Sequence, residues 1–244
     1  MTGKITLAHG AGGKFSADLL QEVILPNFDN EILNELHDGA KIGKLGDAAY
    51  DMIVNMESGM YHGLSQGLFD RELDLASHNP GQKRFEKMTA GVYLGELCRL
   101  ALHKAAVDGM LSPACAQKVL AMPHIDSVAP DAWACGKRLD ELDASEDDGV
   151  IISEIAEFMF RRSATLMCAN LVAMAELTDA GRNGKAAIFA EGSLVQKNHV
   201  YRPVLSGLLE EHLRGTLGRD VRLAVEEDTT LYAKWSDALY QVDS

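Results

Sequence analysis

The sequence predicts an α/β fold, and three observations carry that expectation. Short apolar segments at 4–8, 52–57, 186–190 and 221–225 have the length and pattern of strands. Helical patterns lie between them, the longest running from 150 to 177 and apolar nearly all round, as in a helix buried within a larger body. Glycine-bearing turns follow the strand patterns at His9-Gly10-Ala11-Gly12-Gly13-Lys14 and Glu191-Gly192-Ser193. Carboxyl ends of strands are where α/β proteins commonly bind ligands.

Taken in order, the strand at 4–8 and its glycine-rich loop lead into an amphipathic helix marked by Phe15, Leu19, Leu20, Val23 and Ile24 and stopped by Pro26. Freed backbone N–H groups at such a junction favour an anion. It is not a Walker A loop, because the first glycine is missing and Phe15 replaces Ser or Thr. Residues 41–59 are glycine-rich and then strand-like, and 61–77 read as irregular, with Asp70 and Asp74 as structural acids. Asn79-Pro80-Gly81 is a turn signal. The helical pattern after it has Phe85, Met88, Val92 and Leu97 near one face and Glu86 in its first turn, where the helix dipole favours a carboxylate. Gly91 and Gly95, four residues apart, imply close approach of a neighbouring backbone or a ligand. Ser112-Pro113 opens a helix towards Leu120, and His124 reads as a loop histidine. The acidic run 144–149 suits the start of the long helix, which 179–184 stops. Residues 186–190 read as a buried strand, Pro203 sits in the first turn of a helix ending near Gly215, and the last strand ends at Val225.

The 244 residues are enough to bury a sizeable core. A formal net charge of −13 argues against nucleic acid or an anionic membrane as partner. It also means that phosphates would need local positive groups or a magnesium ion. Cys98, Cys115, Cys135 and Cys168 are widely spaced without a Cys-x-x-Cys pair, which predicts reduced thiols and no metal site. No signal-peptide pattern opens the chain, and no apolar run approaches the ~20 residues that span a bilayer. A soluble, cytoplasmic protein is expected.

The stretch Asn79-Pro80-Gly81, continuing Phe85-Glu86-Lys87-Met88-Thr89-Ala90-Gly91-Val92-Tyr93-Leu94-Gly95-Glu96, closely resembles the hexokinase family. So do Met52-Ile53-Val54-Asn55-Met56-Glu57-Ser58-Gly59, the run Arg161-Arg162-Ser163-Ala164, and Glu191-Gly192-Ser193. The resemblance covers roughly Gly43 to Asp228. It implies the large lobe of an actin-like ATPase (ribonuclease-H-like) fold, a mixed sheet flanked by helices. It also implies transfer of the ATP γ-phosphoryl group to the 6-hydroxyl of a hexose such as glucose, with ATP and Mg2+ as cofactors. By the same resemblance Glu57, Glu86 and Asp47 would bind sugar, while Gly43, Gly91, Gly192, Ser193, Asp228 and Thr229 would line the nucleotide. Asp47 stands where the family has a sugar-contacting Asn, and Leu231, Tyr232, Lys234 and Trp235 occupy positions where the family has small residues beside adenosine. The family's general base is an Asp of a small lobe that precedes this region. Only about forty residues precede Gly43, so no catalytic residue is assigned and a partner lobe or homo-oligomer is a possible associate.

Residues 5–14 and 25–30 resemble instead the start of a hydrogenase maturation factor of the carbamoyl-dehydratase type. That family's reactive cysteine is C-terminal, and this sequence ends Gln241-Val242-Asp243-Ser244. The expected organisation is therefore a glycine-rich strand–loop–helix segment over 1–42 and a hexokinase-like large lobe over 43–244. The alternatives are a catalytically silent sugar-binding or regulatory module of the same fold and, more remotely, an ATP-dependent maturation enzyme.

Overall fold

A computed structural model describes residues 40–42, 52–54, 57–137 and 140–225. The chain forms two compact units, Met1–Met56 and Glu57–Ser244. In the first, β1 (Ala40–Ile42) pairs antiparallel with β2 (Met52–Val54), with Lys41 opposite Ile53. The expected 4–8 strand, its glycine-rich loop and the following helix lie outside the described residues, as does the expected boundary at Gly43.

The second unit opens with a 3₁₀ turn, Ser58–Met60, followed by α1 (Leu68–Ala76), α2 (Arg84–Thr89) and α3 (Gly91–Val107). Next come α4 (Pro113–Leu120), α5 (Val128–Ala134) and α6 (Glu146–Leu177). β3 (Ala186–Ala190) leads through α7 (Ser193–Lys197) and α8 (Tyr201–Leu209), which continues with π geometry over Glu210–Thr216, to β4 (Val221–Val225). β3 and β4 pair in parallel, Ala186 with Val221 and Ala190 with Val225. A parallel pair requires a crossover connection, here supplied by α7 and α8.

The spine is α6, whose 32 residues span roughly 48 Å at helical rise. Its first half buries Ile152, Ala156 and Phe160 with Leu97, Leu102 and Trp133; its second half buries Ala164, Cys168 and Ala175 with Leu205, Leu209 and Leu213. One helix thus serves two apolar clusters on different sides, which explains a sequence without a single apolar stripe. Leu194 of α7 packs against both clusters.

Three expectations change in the structure. Residues 68–76 are helical, not irregular: the inward positions of α1 are Asp70, Leu73 and Asp74, so two carboxylates occupy the face where an apolar stripe would have signalled a helix. The helix expected from Phe85 through Leu97 breaks at Ala90, whose φ of −79° and ψ of 141° are extended. Past the break the apolar face is redirected, and Val92 is exposed while Phe85, Met88 and Leu97 are buried. β3 is not a buried strand, since its residues alternate between half-buried and exposed.

The start of α6 is fixed by a capping box. The Asp148 N–H donates to Ser145 Oγ at 3.1 Å, and Asp148 Oδ2 accepts from the Ser145 N–H at 2.9 Å. The same buried carboxylate accepts from the Ser112 N–H and hydroxyl, both at 2.7 Å, and so ties the N-terminus of α4 to that of α6. Burial alone would raise the Asp148 pKa, but the hydrogen bonds from Ser112 and Ser145 outweigh it and hold the group down to about 2. An unfolded Asp titrates near 3.9. A depressed folded pKa means that this stabilisation is complete above about pH 5 and disappears as pH falls towards 2. Asp148→Asn should therefore lower stability at neutral pH by about 1–3 kcal/mol and flatten the acid limb of a urea-midpoint-versus-pH curve. An unchanged acid limb would contradict this account.

Candidate functional site

The Asn79-Pro80-Gly81 turn sets the site. Its closing bond runs from the Gln82 N–H to the Asn79 carbonyl at 3.2 Å. Gly81 has φ 79°, the positive value that the residue after proline adopts in a type II turn. The turn is anchored from beneath. The Gly81 N–H donates to both Asp74 carboxylate oxygens at 3.0 and 3.1 Å. Lys87 Nζ, 1% exposed, donates to Asp74 Oδ1 at 2.6 Å and to Ser77 Oγ and the Asn79 carbonyl at 2.8 Å. All three ammonium donors are thereby used. Burial works to raise the Asp74 pKa, and the Lys87 ammonium and Gly81 amide overcome it, so the carboxylate stays below its ordinary value.

On this platform the turn delivers Glu86 into the first turn of α2. Lys83 Nζ lies 3.1 Å from Glu86 Oε2. The Lys83 pKa is raised, chiefly by its hydrogen bond to Glu86 and further by the charge of Glu57. Gly59 approaches Glu86 so closely that a Cβ there would stand 3.2 Å from Oε2. The 3₁₀ turn that follows Glu57 packs against α2, and Gly59, Lys83 and Glu86 gather at its start. Glu57 (φ 40°) and Lys83 (φ 49°) both adopt left-handed backbone, which costs a non-glycine residue roughly 1–2 kcal/mol. Such strain is concentrated at functional sites in proteins generally. Two acids presented this way can accept several hydrogen bonds from a polyol.

The other end of α2 is the break at Ala90. Ser163 Oγ donates to the Thr89 carbonyl at 2.7 Å, and Thr89 Oγ1 donates to the Phe85 carbonyl at 2.7 Å. These bonds satisfy buried polar groups where the helix is interrupted. Immediately beyond, Gly91 meets α7: a Cβ on Gly91 would sit 3.4 Å from Leu194 Cβ. The two segments expected to line a nucleotide, Gly91 and Gly192–Ser193, are thus neighbours. Gly192 has φ 110° and open space on the side where a Cβ would stand, so its backbone is accessible to a bulky anion. Gly95 has the packing role that its spacing suggested, since a Cβ there would lie 2.3 Å from the carbonyl oxygens of Ile125 and Asp126. Glu96 secures the same loop, bonded to Arg99 Nε at 2.8 Å and to His124 Nδ1 at 2.9 Å.

Asp47, Gly43, Asp228 and Thr229 lie outside the described residues. Sequence reasoning missed Lys87, Thr89 and Ser163 as supports of the site. The available signal was Asp70 and Asp74 at helical spacing, which needed cationic partners: Arg162 Nη2 meets Asp70 at 2.6 Å and Lys87 meets Asp74. A groove of about 790 Å³ opens beside Leu68, Met110, Phe158 and Arg162, and none of the expected site residues lines it. No helix among the described residues is long and apolar enough to cross a membrane.

A family model described as Hexokinase matches residues 32–232. Hexokinase-3 of Oryza sativa subsp. japonica is 30% identical over 206 residues, covering 72% of this chain and 41% of that protein. Hexokinase-7 of the same plant is 28% identical over 239 residues, 89% of this chain and 51% of the relative. Hexokinase-2 of Homo sapiens is 30% identical over 197 residues, 72% of this chain and 21% of the relative. Among solved structures, one described as hexokinase matches with TM-score 0.60 and 24% identity over 72% of this chain and 41% of its own. A hexokinase from Schistosoma mansoni complexed with glucose matches with TM-score 0.54 and 18% identity over 73% of this chain and 44% of its own. The fold is that of these proteins, the actin-like ATPase fold. The chain spans about half or less of the length of each relative named here.

Proposed function

Because this chain belongs to the hexokinase family, we propose that it is the large lobe of a sugar kinase that transfers the γ-phosphoryl group of ATP to the 6-hydroxyl of a hexose such as glucose. The observation that carries this is the placement of Glu86, paired with Lys83, against Gly59 at the start of α2, with Glu57 only two residues before Gly59. In this reading the two carboxylates accept hydrogen bonds from sugar hydroxyls, and the Lys83 ion pair orients Glu86. Gly192 and Ser193 hold phosphate oxygens through backbone N–H groups and a hydroxyl. Gly91, which neighbours Leu194, lies on the nucleotide side. The open face of Gly192 fits a phosphate, and a magnesium ion arriving with ATP would offset the acidic charge of the chain. Glu86, in the first turn of α2, and Gly91, which opens α3 just past the break at Ala90, put the sugar side and the phosphate side of this reading at opposite ends of α2.

Charge-assisted hydrogen bonds contribute about 1.5–3 kcal/mol each. Glu86→Ala should therefore weaken glucose binding at least tenfold in calorimetry. The side chain is 33% exposed, so the far-UV circular dichroism should not change. Equal affinity in the variant, or no heat with glucose in the wild-type chain, overturns the sugar site. A second reading keeps the sugar site without phosphoryl transfer. Leu231 and Tyr232, standing where small residues would admit adenosine, favour it. It is distinguished by glucose binding without a micromolar affinity for ATP.

The N-terminal 1–42 segment is kept as a separate piece of organisation in this reading. Its likeness to a hydrogenase maturation factor assigns it no part in sugar chemistry.

A further inference from the structure

Three of the four cysteines are shut away. Cys98, Cys115 and Cys168 are buried, and burial pushes the Cys98 thiol up to about 12 and the Cys115 thiol up to about 11. Cys135, at the end of α5, is exposed. It lies four residues after Asp131, one helical turn along the same face. Facing them is His199, in the short link between α7 and α8. That link is rigidly held: Asn198 Oδ1 accepts from the Val200 and Tyr201 N–H groups at 3.0 and 2.7 Å, and the His199 N–H donates to Asp131 Oδ1 at 2.9 Å. The imidazole Nδ1 stands 2.8 Å from Asp131 Oδ2. Ligand atoms of Asp131, Cys135 and His199 all lie within 4.8 Å of one another.

We propose that Asp131, Cys135 and His199 form a site for a divalent transition-metal ion, with zinc the best-suited occupant. The donor set is one carboxylate oxygen, one thiolate and one imidazole nitrogen, which suits a borderline-soft cation that accepts all three. Bonds of about 2.0–2.3 Å place the ligands of a tetrahedral ion roughly 3.3–3.8 Å apart. Rotation of the exposed Cys135 and His199 side chains closes the remaining ångström or so from the observed spacing. On binding, the thiol releases its proton to water, the imidazole proton shared by Nδ1 and Oδ2 moves to Nε2 by exchange with solvent, and the ion takes its place between Nδ1 and Oδ2. Three protein ligands leave a fourth position for water or an external ligand. The wide cysteine spacing that argued against zinc in the sequence does not bear on this site, because only one ligand is a cysteine and the third comes from 64 residues further along.

The location gives such an ion a consequence. α5 contributes Trp133 to the first apolar cluster, whereas Val195 and Tyr201, on either side of His199, belong to the second. A metal bridge between Cys135 and His199 would staple the two clusters together just beyond α7, whose first residue is Ser193. The site does not depend on the sugar-kinase reading.

Cobalt(II) provides the test, because thiolate coordination produces a charge-transfer band that carboxylate and imidazole cannot. The full chain, reduced and stripped with chelator, should bind one Co2+ with near-ultraviolet charge-transfer absorption and visible tetrahedral bands, both abolished by added Zn2+. Cys135→Ser should remove the charge-transfer band, and His199→Ala should weaken Co2+ binding at least tenfold. Both substitutions are at exposed positions, so circular dichroism should be unchanged, and Zn2+ should raise the melting temperature of the wild-type chain but not of His199→Ala. Absence of the charge-transfer band in the wild-type chain, or its persistence in Cys135→Ser, overturns the proposal.

Discussion

A protein of these 244 residues, supplied with glucose, ATP and magnesium, is expected to turn over at least 10²–10⁴-fold more slowly than an ordinary kinase. The reason lies in what the described residues supply. In the proposed reading Glu57 and Glu86 hold the sugar and Gly192–Ser193 the phosphates, but Glu86 is a hydrogen-bond acceptor oriented by its ion pair with Lys83 rather than a base. Deprotonating the attacking hydroxyl needs a carboxylate aimed at it, and the family resemblance places that Asp in a lobe ahead of the matched region. Loss of a general base costs about 10²–10⁴ in rate. Losing closure of a second lobe, which excludes water from the site, adds to that. A coupled assay on the purified chain measures it. Turnover within roughly 1–100 per second would show that another carboxylate or a second subunit acts as the base.

Lys87→Met is expected to cost about 3–5 kcal/mol of stability. Asp74 and Lys87 are both nearly sealed from water, and removing one charge strands the other in the interior. The loss should appear as a lower urea midpoint with the slope retained. It should also abolish glucose binding, because the ammonium that holds the Asn79 carbonyl positions the start of α2. A companion variant, Asp74→Asn with Lys87→Met, removes both charges and should recover part of the stability, since replacing a whole buried pair costs far less than breaking one. A single-variant loss below about 1 kcal/mol would mean that the pair is solvated in solution, contrary to its burial here.

The sequence alone determined the family and the larger elements, among them α4, α6, β3, α8 and β4. Ser112-Pro113, the 179–184 stop and the acidic start of α6 are local devices, set by capping and glycine conformation, and each could be read without knowing its neighbours. Glu57 and Glu86, the carboxylates proposed for the sugar side, stand out in the sequence because they sit inside long, specific motifs. Other features depended on partners remote in sequence. α1 was hidden because Asp70 and Asp74 face inward, which is tolerable only when Arg162 and Lys87 arrive to pair with them. The break at Ala90 is stabilised by the Ser163 hydroxyl, 74 positions from Thr89, whose carbonyl it caps. The Asp131–Cys135–His199 cluster likewise exists only because the α7–α8 link folds back onto α5. Local backbone preference and side-chain periodicity are written along the chain. Satisfaction of buried charge and convergence of ligands are properties of the packed molecule, and only the tertiary structure decided them.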